Sequence, residues 1–517
     1  VITGADVLLP DGDGFRLASG LMVQGQGGLI GAIGTAAECP EVPADALRID
    51  GTGATLMQGL MDAWCHVTDP SDLDSALGAG VTTLRVMDSP SWLARVLSQR
   101  AMNGVVTPRC VYFGPDLRRH VPRMGGDAAL EERKVRASIE ADIRRQVNQG
   151  VDGFTLGHDA PQRLVRLAVQ GTRRFGLPLS IRSPGKIPFK DAWPLGDAIG
   201  SLEMLLGDWH VPNGADGRLR PLPARVVLEK RAARVAKEQR PVLTGLVEFV
   251  RQTQLLGLEA ELSVSDLVQN RYAGRSAEEL IVSQDELESL APLTRSRWSQ
   301  AAHQMRRSLP ASLLRYMRAA MPPLATVLQK LVHDDAHIVV GTGAGTPFVP
   351  MGTAVFNELK LLVEFGMEPA QSIAAASTRS AAFMGLQEVG CLKSGSRADL
   401  LLVEGDPLGD LRALRRMRAV AVGGRWTTAE DLAKRREEQR LVLDQEVEFV
   451  TAAVVDSIGG TAEELNERLG RYAKESGVRV RRETVESLRD AYLTSDVPRR
   501  EHAAVLTRFI ARYLSVR

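Results

Sequence analysis

The chain has 517 residues, too many for one ordinary hydrophobic core, so at least two domains are expected. Apolar residues make up 44% and charged residues 25%, the profile of a soluble globular protein. With 64 basic against 63 acidic side chains the net charge is +1, which gives no reason to expect nucleic acid or an anionic membrane as a partner. The first fifty residues hold short β-type runs with Gly turns, at Val1–Leu9, Gly20–Val23, Leu29–Ile33 and Leu47–Ile49, and predict a small all-β unit.

From about Thr55 to Gly345 short apolar runs alternate with helical patterns. Strand candidates fall at 54–61, 82–87, 108–113, 153–156, 178–181 and 199–205. Amphipathic stretches at 131–147 and 161–175 stop at Gly150 and Gly176. This alternation predicts a parallel α/β architecture, and about eight units fit a (β/α)8 barrel. A polar, helical insertion spans about 250–322, with a basic stretch at Arg295–Arg307. Residues 398–422 return to β-type runs around Gly405-Asp-Pro407 and are placed to complete the N-terminal β unit. From 427 to 517 the pattern is helical and highly charged, with capping-box spacing at Thr427/Glu430 and Thr461/Glu464.

Cys39, Cys65, Cys110 and Cys391 have neither zinc-knuckle nor disulfide-framework spacing. No apolar run is long enough to span a bilayer. The chain begins at Val1 inside a strand-like run. Either a leader is removed or the first residues are missing, so periplasmic, secreted and cytoplasmic locations all stay open.

Gln58-Gly-Leu-Met-Asp-Ala-Trp-Cys-His66 resembles the first barrel strand of metal-dependent amidohydrolases of the imidazolonepropionase/prolidase-like kind, which reads Pro-Gly-Leu-Ile-Asp-x-His-x-His. Gly78–Arg85 is similar to the family's second strand, Pro108–Pro115 to its third, Gly150–Thr155 to its fourth, Gly176–Arg182 to its fifth and Gly196–Met204 to its sixth. His333–Gly345 resembles the eighth-strand segment, and Lys393–Leu400 with Gly405–Leu408 resembles the segment after the barrel. The resemblance covers about Val1–Trp426 and implies a (β/α)8 TIM-like barrel at 55–389 beside a small β-sandwich at 1–54 plus 390–426. Residues 427–517 are then a helical C-terminal extension.

The resemblance also implies a divalent-metal centre, in which the metal polarises a carbonyl and lowers the pKa of a bound water. Its ligands come from strand ends on the C-terminal face of the barrel. The first matched His position is Trp64, and the second is His66, which is kept. The carboxylated-Lys position is Thr155, the fifth-strand His position Arg182, the sixth-strand His position Met204 and the eighth-strand Asp position Gly343. Five of these six cannot play the family's part. Trp does not ligate, Gly343 has no side chain, and Met is too soft for a hydrolytic zinc. Arg182 puts a fixed cation where a cation should bind.

No zinc or other cofactor is therefore expected unless the site is rebuilt, for which His158 and His210 are the nearest candidates, each on a loop. Trp64 is expected to fill the vacated cavity, with Met204 packing against it. Cys65, between two inward positions, is expected to face the helices as a core thiol. A buried Arg182 needs a partner, either Asp88 or a bound anion, and the Gly341–Gly345 loop offers backbone for an anion. His333-Asp-Asp335 and His337 fall on the turn before the eighth strand, at the stability end of the barrel.

The resulting expectation is an amidohydrolase-fold pseudoenzyme acting as a structural or protein-interaction subunit. Protein partners or self-association are expected at the 250–322 insertion and the 427–517 tail. The alternatives are a hydrolase of non-peptide or dipeptide C–N amide bonds with an atypical site, and a binder of small anions through Arg182.

Overall fold

A computed structural model describes residues 1–12, 14–68, 70–89, 93–117, 128–157, 160, 162–181, 195–206, 212–213, 218–219, 222–249, 251, 298 and 311–438. The chain divides into two compact units. The first comprises Val1–Val67, Asp72–Gly257 and Leu309–Leu432. The second comprises Thr68–Ser71, Leu258–Ser308 and Ala433–Arg517. The β unit and the barrel strands described below both lie in the first of these units.

Two sheets built from both ends of the described chain form the β unit. One has four strands in the order Leu29–Gly34, Met22–Gln26, Ile2–Thr3, Ile49–Asp50. The other has six, in the order Arg425–Thr428, Met417–Val422, Leu400–Glu404, Ala54–Gln58, Asp6–Asp11, Gly14–Ala18. Side chains alternate across a strand, so one strand can serve two cores. Leu400 and Leu402 join Ile2, Val23 and Leu56 in the β-unit core. Leu401 and Val403 pack into the main core with the barrel helices. Burial on both faces is why this strand reads as an unbroken apolar run, Leu400-Leu-Leu-Val403.

The barrel starts later than the sequence implies. Ala54–Gln58, taken as part of the first barrel strand, pairs antiparallel with Leu400–Glu404 in the six-stranded sheet. The chain changes sheets at Gly59, whose N–H donates to Asp399 O at 2.8 Å. Both segments are apolar and extended, so local pattern does not separate them.

Among the described residues eight further strands follow in three parallel sheets, linked by isolated bridges and backbone hydrogen bonds in a TIM-barrel-like arrangement. Leu60–Cys65 pairs with Val81–Val86, which pairs with Arg109–Tyr112. A parallel bridge from Phe113 to Gly153 leads to Phe154–Leu156, which pairs with Leu179–Ile181. Asp197 N donates to Leu179 O, just ahead of the sixth strand, Ile199–Gly200. Val242–Leu243 and Ile338–Val339 follow as strands seven and eight. Closure comes from Ala63 N to Val340 O at 2.9 Å and from the parallel bridge between Cys65 and Ala344.

Helices follow strands one to four at Ser71–Gly78, Leu93–Met102, Ala128–Asn148 and Gln162–Arg173. Those after strands six, seven and eight are Arg225–Lys237, Ala311–His333 and Thr353–Glu364. The helix after strand seven corrects the C-terminal edge of the predicted insertion. Pro322 and Pro323 lie inside this helix, where each removes one helical hydrogen bond. The helix runs through both, anchored by Leu324, Val327, Leu328 and Leu331, which are buried in the core. Most of the insertion, and the tail beyond residue 438, lie outside the described residues. No described helix is long and apolar enough to cross a membrane.

Candidate functional site

On strand two, the Arg85 side chain forms an ion pair with Asp197 and donates from Nη1 to Ala63 O at 3.1 Å. Its guanidinium lies 3.8 Å from the Phe113 ring centroid and 4.8 Å from that of Phe383. Phe383 ends the short helix Thr378–Phe383, which contacts strands one and eight. The buried guanidinium anticipated at Arg182 therefore has a counterpart that the sequence reading passed over. Arg182 itself follows the last residue of strand five and lies outside the described residues, as do His158 and His210.

Trp64 belongs to the next cluster, with Ala63, Met87, Phe113, Ala198, Leu243 and Val339. It is 5% exposed. The backbone around it is cut to fit. A Cβ on Gly341 would lie 2.8 Å from Trp64 Cβ and 3.0 Å from Leu243 Cδ2. Met204 does not join this cluster. It sits on the 3-10 turn Leu202–Leu206, beyond the end of strand six, and packs into the outer core. The expected contact with Trp64 is thereby corrected: the polypeptide leaves the strand at Gly200, which redirects residue 204. Cys65 faces outward into the same outer core, fully buried.

Thr155 is buried on strand four, and its Oγ1 accepts from Asp88 N at 3.3 Å. Asp88 adopts φ +49°, a conformation that Asp tolerates better than most residues. Its Oδ1 accepts from Asp116 N at 2.9 Å, and Asp116 Oδ1 accepts from Gly157 N at 3.2 Å. Asp88 thus ties together the ends of strands two, three and four.

The Gly341–Gly345 stretch does not offer a free cradle to an anion. Thr342 N donates to Asp62 Oδ1 at 3.1 Å, Gly343 N to Trp64 O at 2.8 Å and Gly345 N to Val349 O at 2.9 Å. Gly341 N donates to Thr244 Oγ1, and Ala344 N to Thr342 Oγ1. All five amides are spent inside the protein, so the proposed backbone contribution to anion binding falls away. His66 N donates to Ala344 O at 2.7 Å, which places His66 beside the same stretch.

Two buried carboxylates underlie this region. Asp62 accepts from Thr342 Oγ1 at 2.5 Å as well as from the amides of Thr342 and Trp64. Burial pushes its pKa up to about 6 against the pull of those bonds. Glu358, on the helix Thr353–Glu364, accepts from the amides of Leu246 and Val247, each at 2.8 Å. Burial raises its pKa to about 7, opposed by the Thr244 side chain and those two amides, with a smaller upward push from Asp62. The signal for Glu358 is present in the sequence: it is the one acid in the apolar stripe Val355, Glu358, Leu359, Leu362. The His337 cluster falls where expected, before strand eight, with Asp335 ion-paired to Arg379 and the His337 ring against Arg379 O.

A hydrolytic zinc needs at least three converging nitrogen, oxygen or sulfur ligands with an open position. Among the described residues no group of three or more His, Cys, Asp and Glu side chains is placed to hold a metal. Trp64, Thr155, Met204 and Gly343 do not fit that chemistry, and Trp64 occupies interior volume instead.

Residues 322–427 match the sequence pattern of the Amidohydrolase family. No curated protein matches the sequence. Solved structures are similar over most of the chain. The bottromycin amidohydrolase shares 22% identity, with TM-score 0.58, covering 85% of this chain and 89% of its own. A putative prolidase from Bifidobacterium longum shares 16% identity, with TM-score 0.53, covering 84% and 98%. An Xaa-Pro dipeptidase with bound methionine in its active site shares 16%, with TM-score 0.53, covering 83% and 99%. Residues 322–427 thus carry the amidohydrolase family pattern, and the chain shares its fold over most of its length with these amidohydrolase and prolidase structures.

Proposed function

We propose that this chain is an amidohydrolase-fold subunit that does not use the family's metal chemistry and serves as a structural or protein-binding component. The observation that carries this reading is Trp64. By the resemblance it matches the first ligand position of the family's barrel, and it is packed in one cluster with Phe113, Leu243 and Val339. Fold alone does not carry function. A scaffold kept while its ligand positions are filled or emptied supports a role in binding, for which the insertion at 250–322 and the extension at 427–517 are the natural surfaces.

Metal analysis of the purified chain tests this directly. No stoichiometric zinc and no chelator-sensitive hydrolysis of dipeptides are expected. Stoichiometric zinc, with hydrolysis abolished by chelator, overturns the reading. A partner that co-purifies and is lost when residues after Thr427 are deleted supports it.

Hydrolysis of a C–N amide bond is the second reading. It is favoured by the likeness to a prolidase and a dipeptidase, and by His66, which keeps a ligand-type side chain at the barrel mouth. Binding of a small anion through Arg182 is weaker, because the neighbouring glycine-rich amides are already bonded.

A further inference from the structure

The β unit holds a cavity of about 540 Å³ that touches both of its sheets. Ile2, Val23 and Ile30 line it from the four-stranded sheet, and Leu400 and Trp426 from the six-stranded one. Protein interiors are close-packed, with few voids larger than a water molecule, so a space of this size is not an ordinary packing gap. It falls in the range of pockets that take a small organic molecule.

Backbone contacts brace the sheets whether or not the space is filled. The turn between Met22–Gln26 and Leu29–Gly34 is bonded to the segment after the barrel. Ile30 N donates to Ser396 O at 2.7 Å, and Ala398 N donates to Gly28 O at 2.9 Å. Gly28 has φ +83°, and a Cβ there would lie 2.9 Å from Gly423 O, so only glycine allows this approach. Several lining residues are small, namely Gly25, Gly31, Ala32 and Ala398, and leave the space unfilled. The loop 40–47 supplies a further wall. It is tied back by Gln24 Nε2 to Pro40 O and by Val1 N to Leu47 O, each at 2.7 Å.

Two observations define what fits. Leu29 and Leu47, 39% and 67% exposed, both line the cavity and are among the few large apolar side chains that the described residues leave in solvent. The only charged side chains of the lining are Glu41 and Asp45, both exposed, and no Lys, Arg or His lines it. An apolar body with one positive group matches both observations, and the Trp426 indole adds a surface that attracts cations.

We propose that this cavity is a binding site for a small hydrophobic amine, its apolar body against Ile2, Leu400 and Trp426 and its ammonium at Glu41 and Asp45. The site belongs to the β-unit core, separate from the cluster around Trp64, and does not depend on what the barrel does.

Dansylcadaverine, a fluorescent naphthalene bearing an alkylammonium, tests the assignment on the full chain. Saturable binding of one probe per chain is expected, with stronger, blue-shifted emission. Ala32→Trp and Ala46→Trp add rings to the lining and should each clearly weaken binding. Glu41→Gln with Asp45→Asn should weaken dansylcadaverine at least about threefold and leave uncharged dansylamide unaffected. Both acids are exposed, so this variant keeps the fold and decides even where a tryptophan variant does not fold. Four results each overturn the proposal: no saturable binding, unaltered binding in folded tryptophan variants, a charge variant that weakens neither probe or both equally, and anionic dansylglycine binding as tightly as the amine.

Discussion

Arg85 and Asp197 form an ion pair inside the barrel, joining the second strand to the residues just ahead of the sixth. The Arg85 guanidinium is buried between Phe113 and Phe383, so the charge is tolerable only with its partner in place. Asp197→Ala is expected to cost about 3–5 kcal/mol in urea denaturation, the usual loss when one partner of a buried pair is removed. Arg85→Met with Asp197→Leu should lose less than Asp197→Ala alone. A double variant no better than the single would show that packing, not charge pairing, fixes this level of the barrel.

Stability should fall as pH rises through neutrality. Asp62 and Glu358 have pKa values raised to about 6 and about 7 by burial, above the ordinary carboxylate range. The folded chain therefore holds protons that the unfolded chain has released. Their contribution is fully present below the unfolded pKa and is lost as pH rises through the folded values. Glu358→Gln should flatten the upper part of this dependence. Urea midpoints between about pH 5 and 8 measure it, and an unchanged slope would exclude Glu358 as the cause.

Trp64 should behave as filling rather than as a functional side chain. Trp64→Ala is expected to cost about 3–5 kcal/mol. Because the surrounding side chains are apolar, added indole should bind in the space and raise the melting temperature of this variant but not of the parent chain. Failure of indole to discriminate between the two would mean that the barrel collapses around the missing ring.

Gly345 should tolerate substitution far worse than Gly366. Both have positive φ, +87° and +104°, so alanine strains the backbone at each. At Gly345 the new Cβ would also meet His66 O at 1.9 Å, whereas at Gly366 it meets nothing within 4 Å. Gly345→Ala is expected to lower the melting temperature clearly more than Gly366→Ala. Equal losses would show that strain alone matters and that the contact with His66 relaxes freely.

The ordered series of strand motifs was enough to read a TIM-barrel-like α/β fold, although it supplied no motif for the strand Val242–Leu243. Local pattern failed at Gln58–Leu60, where two extended apolar segments in succession belong to different sheets. The edge of the insertion at 322 likewise falls inside a helix, Ala311–His333, that runs through Pro322 and Pro323. At the site, the resemblance matched the family's ligand positions to Trp64, Thr155, Met204 and Gly343, whose side chains do not suit that chemistry. The contacts around them were not legible: Arg85 pairs with Asp197 112 positions away, and Glu358, visible as the one acid of an apolar stripe, meets the amides of Leu246 and Val247 112 and 111 positions away.

The sequence by itself determined the alternation of strands and helices and the place of Cys65 in the core, since both follow from residue type and local period. Only the tertiary structure decided that the glycine-rich amides are already bonded and that Met204 turns away from Trp64. Those outcomes depend on which distant backbone approaches within hydrogen-bond or van der Waals distance, and barrel closure brings together chain segments that no local pattern relates.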